Sequence, residues 1–250
     1  MMAKNRSMLR LHCTASVASV ILMLAVLVAT PPTACADGTI ISAHTVHAAD
    51  LKGPDRALAE LMAGNARFAA HQSKHPNQNA ARLTEVADGQ HPIAVVLSCA
   101  DSRVPPEVIF DQGLGDIFTV RVAGNVTSPE VLGSIEYAVE HLGATLIVVM
   151  GHEKCGAVAA ALAGGDAGGH VQTIVNEISP VIEVAKQSSQ DPLDQAVRLN
   201  VFKTVGELST SEPILAHEAS EGKIKIVGAY YSLDTGQVSL IGAPPAAAKH

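Results

Sequence analysis

The sequence predicts an α/β fold, a mainly parallel central β-sheet flanked by helices, and three observations carry that expectation. The runs Ile93 to Leu97, Ile117 to Val122, Leu146 to Met150 and Ile224 to Tyr231 are short and rich in branched apolar residues. Continuous apolarity of this kind suits strands covered on both faces, as in a parallel sheet. Helix-compatible stretches separate these runs, and alternation of strand and helix is what crossover connections between parallel strands produce. Finally, the polar residues with chemical capacity collect directly after the apolar runs. Those positions are the carboxyl ends of strands, where open parallel sheets hold ligands.

The elements follow in chain order. Lys4, Arg6 and Arg10 form a positive head, Val17 to Ala29 a short apolar stretch, and Ala34-Cys35-Ala36 a small-residue end. This is the pattern of a secretory signal peptide over residues 1–36, with the cut before Asp37. The apolar run is shorter than the roughly twenty residues a membrane anchor needs. A lipoprotein reading, in which Cys35 becomes the acylated first residue, is disfavoured by Pro32 and Thr33 just upstream. The expectation is an exported protein, periplasmic or secreted, with no stable membrane anchor after processing.

Residues 37–52 lack periodicity and read as an N-terminal arm. From Gly53 the residues Leu58, Leu61, Met62 and Phe68 recur at helical intervals, and Pro54 falls in the first turn, where its missing donor does no harm. Residues 72–91 are polar and read as a loop with a short helix. Helices are expected over Pro129 to His141, Gly156 to Leu162, Val171 to Lys186 and Asp191 to Leu208. Gly236 marks a turn into a last, antiparallel strand. One domain over residues 53–241 results, followed by an Ala/Pro-rich tail at 242–250.

Charge narrows the partners. The chain carries 17 Lys and Arg against 24 Asp and Glu, a net charge of −7. Processing removes three basic residues and no acidic one, which leaves 214 residues at −10. An acidic protein without a basic cluster gives no support for nucleic-acid binding. Small molecules and other copies of the chain are the expected partners. Cys13 and Cys35 leave with the leader, so Cys99 and Cys155 remain.

Cys99, His152 and Cys155 form a good donor set for zinc, which favours sulfur and nitrogen. His152 and Cys155 are three apart after one strand, flanked by Gly151 and Gly156, and Cys99 follows a neighbouring strand. Three protein ligands leave a tetrahedral ion one open position, as catalytic sites require. Asp101 either fills that position or turns away to accept a hydrogen bond, and Arg103 is spaced to hold its carboxylate off the metal by a bidentate pair. A Cys99–Cys155 disulfide is the competing reading in an exported protein. His141, the pair His44 and His47, and the pair His71 and His75 read as ordinary partly buried or solvated histidines.

The sequence resembles the β-class carbonic anhydrases of exported bacterial type. The resemblance rests on CADSRVPPE, FTVRVAGNV, SIEYAVEHLGATLIVVMGHEKCGAV and GAYYSLDTGQV, together with ALAELMAGNARF near the start. It spans about residues 53 to 241. It implies one Zn2+ per chain on Cys99, His152 and Cys155, with Asp101 as fourth ligand in a closed form, and an Asp101–Arg103 dyad as the catalytic pair. The implied reaction is reversible hydration of carbon dioxide to bicarbonate and a proton by zinc-bound hydroxide. The implied assembly is a homodimer or tetramer. Relatives that hydrolyse carbon disulfide or carbonyl sulfide share these ligands, and a non-catalytic zinc- or bicarbonate-binding protein is a further alternative. The bicarbonate switch site of some members uses a tryptophan, and this chain has none.

Overall fold

The structure is a computed structural model that describes residues 52–242 apart from Ser189. The leader over 1–36, and nearly all of the arm over 37–52 and of the tail over 242–250, lie outside the described residues. None of the described helices is long and apolar enough to cross a membrane.

The strands are β1 (Ala94–Ser98), β2 (Ile117–Arg121), β3 (Leu146–His152), β4 (Lys225–Tyr231) and β5 (Val238–Ile241). They form one sheet in the order β2-β1-β3-β4-β5. The first four are mutually parallel and β5 is antiparallel to β4, as the apolar runs and the Gly236 turn predict. The helices are α1 (Gly53–Ala69), α2 (Ala80–Glu85), α3 (Pro106–Ile109), α4 (Pro129–Leu142), α5 (Gly156–Ala163), α6 (Val171–Ile178), α7 (Ile182–Ser188), α8 (Pro192–Ser209) and α9 (Leu215–Ser220).

Two differences from the sequence expectation have physical causes. The single helix expected over Val171 to Lys186 is two, α6 and α7, joined by a tight turn at Ser179–Val181. Pro180 lies in that turn, and a proline inside a helix removes a backbone donor and clashes with the preceding turn. The one-turn α3 and the short α9 were not expected, because so few residues carry no measurable helical period.

Successive strand residues point to opposite faces, and the core divides accordingly. Ala94 and Val96 of β1 pack with Leu61, Ile109 and Phe110 on one face. Val95 and Leu97 pack with Ile135, Ala138, Val201 and Leu208 on the other. A third apolar cluster, with Val158, Ile178, Ala196 and Val197, surrounds Cys99 and Cys155 beyond the strand ends.

Helix α8 lies hard against the end of β3. A Cβ placed on Gly151 would sit 2.6 Å from Cγ2 of Val201 and 3.0 Å from Cγ1 of Val197. Gly151→Ala is therefore expected to push α8 outward and to cost about 1–3 kcal/mol. Urea unfolding measures this, and an unchanged midpoint would show that the helix yields freely.

Candidate metal centre

Three elements converge at the carboxyl edge of the sheet. Cys99 is the first residue after β1, His152 is the last residue of β3, and Cys155 is the N-cap residue of α5. Between the last two, Lys154 adopts a left-handed φ of 55°, which folds the chain back and turns Cys155 toward His152. One ligand atom from each of the three residues lies within 4.8 Å of the other two, and all three side chains are buried.

The histidine shows how the site is made. Nδ1 of His152 lies 2.9 Å from the carbonyl oxygen of Glu153. A carbonyl can only accept, so Nδ1 carries the proton and Nε2 presents its lone pair. That Nε2 is fully buried and has no hydrogen-bond partner among the described residues. An aligned, buried, unpartnered nitrogen beside two sulfurs matches the donor set of a zinc site, with the other ring nitrogen fixed from outside.

The sulfurs are free, not joined, so the competing disulfide is not formed in this structure. The neighbouring Cys155 thiol draws the Cys99 thiol well below its ordinary value, against the opposing effect of burial. The backbone N–H groups of Gly124 and Asp101 lower it further. The sulfur–sulfur hydrogen bond with Cys99, reinforced by burial, pushes the Cys155 thiol up.

Asp101 and Arg103 lie at the rim. Arg103 donates Nε to Oδ1 at 2.9 Å and Nη2 to Oδ2 at 2.8 Å, and its backbone N–H adds a bond to Oδ1 at 2.9 Å. These bonds hold the Asp101 carboxyl far below the ordinary carboxylate range. Oδ2 of Asp101 stands 4.0 Å from Nε2 of His152, so the carboxylate overlooks the ligand set.

Two residues position Cys99 without a role having been evident in the sequence. Arg121, at the end of β2, donates Nε to the Cys99 carbonyl at 3.0 Å and Nη2 to that of Asp101, which clamps the turn after β1. Gly124 donates its backbone N–H to Sγ of Cys99 at 3.3 Å. In the sequence Arg121, Gly124 and Asn125 stand together after the second apolar run, a strand-end position that marks them without assigning a role.

The other candidate ligands are not brought together. His71 and His75 lie in the loop after α1, His141 lies in the last turn of α4, and His44 and His47 lie outside the described residues. A second group, His217, Glu218 and Glu221, lies on α9 and the turn after it, but Nζ of Lys223 already pairs with both glutamates at 3.0 and 2.6 Å.

A family profile of carbonic anhydrases matches residues 94–238, a span containing every residue of this site. The chain belongs to the carbonic anhydrase family. A carbonic anhydrase of Mycobacterium tuberculosis is 43% identical over 191 residues, which cover 75% of this chain and 92% of that protein. One from Mycolicibacterium smegmatis is 44% identical over 191 residues, covering 75% and 93%. Among solved structures, a tetrameric β-carbonic anhydrase of Sordaria macrospora matches with a TM-score of 0.61 at 28% identity, covering 75% of this chain and 96% of that one. Sequence and fold together make this carbonic anhydrase one of the β class.

Proposed function

We propose that this carbonic anhydrase interconverts carbon dioxide and bicarbonate with one zinc ion per chain held by Cys99, His152 and Cys155, and that Asp101 and Arg103 are its working pair. The observation that carries the reading is the unpartnered, buried Nε2 of His152, set beside two sulfurs and overlooked by the Asp101 carboxylate. When bound in such a site, zinc supplies hydroxide near neutral pH by lowering the pKa of coordinated water to about 7.

The chain's own residues do the rest. Both carboxylate oxygens of Asp101 are engaged by Arg103, so closing the site on the metal would mean releasing a bidentate pair. That preference supports an open fourth position over a permanently closed, non-catalytic one. Oδ2 then accepts a hydrogen bond from the attacking oxygen and directs its free lone pair at the carbon. Arg103 fixes the direction of that acceptor and keeps it ionised.

Association of two or more copies is part of the proposal, supported by the tetrameric state of the Sordaria relative. Export is supported by the basic head, apolar run and small-residue end of residues 1–36.

Stopped-flow carbon dioxide hydration on residues 37–250, with zinc counted in the same sample, tests the reading. Fast turnover with one zinc per chain is the expected result. Full zinc without carbon dioxide turnover, but with hydrolysis of carbon disulfide or carbonyl sulfide, would replace the substrate. Absence of zinc would overturn the ligand set.

A further inference from the structure

Helix α8 carries two buried polar side chains one turn apart, Asn200 and Thr204, which are 1% and 0% exposed. Their spacing puts them on one face. Burying an amide or a hydroxyl is costly unless it is hydrogen-bonded, and both bond to one short turn, Ala123–Asn125. Nδ2 of Asn200 donates to the Gly124 carbonyl at 2.7 Å. Oγ1 of Thr204 donates to the Asn125 carbonyl at 3.3 Å. Oδ1 of Asn200 has no partner among the described residues, so the donor alone is what this amide contributes.

That turn is the one whose Gly124 N–H reaches the Cys99 sulfur. Gly124 has a φ of 71°, and a Cβ on it would lie 2.8 Å from Cδ1 of Ile178. Only glycine fits such a place easily, yet glycine is also the residue least able to hold its own conformation. The hydrogen bond to the sulfur is therefore donated by the least rigid kind of residue. Asn200 fixes that residue from its other side, through the carbonyl. Without the amide, the Gly124 carbonyl is buried and unpaired, and the turn must rotate to find it another donor. That rotation carries the N–H away from Cys99.

We infer that Asn200, assisted by Thr204, is a positioning residue for the metal thiolate: it locks Gly124 so that its N–H withdraws charge from the Cys99 sulfur and limits how strongly that sulfur donates to the ion. The inference rests on Cys99 being a metal ligand. Helix α8 then secures both halves of the centre, since it also packs on Gly151, the residue before His152.

Cobalt(II) in place of zinc reports the sulfur's charge directly through its thiolate-to-metal charge-transfer band. Asn200→Leu keeps the bulk and removes the donor. It is expected to bind one cobalt per chain and to move that band to longer wavelength. A merely structural role would lower the melting temperature and leave the band where it is. One cobalt with an unmoved band overturns the inference. If Asn200→Leu does not fold, Thr204→Val, which keeps the shape of the side chain, carries the test. It is expected to show a smaller shift in the same direction, and an unmoved band again overturns the inference. Wild-type protein that binds no cobalt and no zinc would instead overturn the metal reading beneath it.

Discussion

Asp101→Ala is expected to keep one zinc per chain and to lower kcat for carbon dioxide hydration by about 10²-fold or more, the scale on which a positioned carboxylate assists proton movement. Zinc should stay because Asp101 stands outside the cluster of three ligand atoms and gives both its oxygens to Arg103. Turnover should fall because, among the described residues, no other acceptor is fixed over the ligand set in this way. Asp101→Asn sharpens the test. It retains a carbonyl acceptor but exchanges the charged bidentate pair with Arg103 for weaker contacts, so an intermediate rate is expected. Arg103 holds the carboxyl so far below its usual range that it stays ionised through the whole neutral region. Protonation of Asp101 is then not what would lower activity between neutral and mildly acid pH. Zinc analysis beside kcat decides the matter: full zinc with unchanged turnover in Asp101→Ala would remove the residue from the reaction.

Cys99→Ala is expected to abolish stoichiometric zinc and, with it, all measurable hydration. A site of two sulfurs and one imidazole that loses a sulfur keeps only two protein donors, too few for a zinc site that needs three or four. The alanine itself is harmless to packing relative to this loss, because Cys99 sits among apolar neighbours such as Val126 and Val158. A thermal melt with and without chelator isolates the cause. Ligands that bind the folded state raise its stability, so chelation should lower the melting temperature of the wild type and leave that of Cys99→Ala unmoved. Retention of one tightly bound zinc in the variant would exclude Cys99 from the ligand set.

Much of this was legible because the relevant signals are local. The parallel strands show as runs of branched apolar residues, and the donors sit at or just beyond the ends of β1 and β3, where sequence position and spatial position coincide. The one-turn α3 was hidden, since it involves too few residues to alter a periodicity, whereas the break between α6 and α7 was marked by Pro180 inside an otherwise helical pattern. The supports of the site were harder still. Asn200 lies 76 residues from Gly124, inside a helix whose sequence gives no sign that this amide faces inward. Arg121 was visible as a charged residue at a strand end, but its hold on two carbonyls depends on the β1–β2 pairing. Contacts made by tertiary packing are set by the register of the whole sheet, and no short stretch encodes them.

The orientation of His152 has a consequence for how the protein tolerates genetic change. The group that sets its tautomer is the carbonyl of Glu153, part of the main chain. Had a side chain done this, one codon change would have released the ring and spoiled the site. A main-chain oxygen is present whatever amino acid occupies position 153. The imidazole's alignment is thereby insulated from drift at its own anchoring position, and that position is left to vary under other demands.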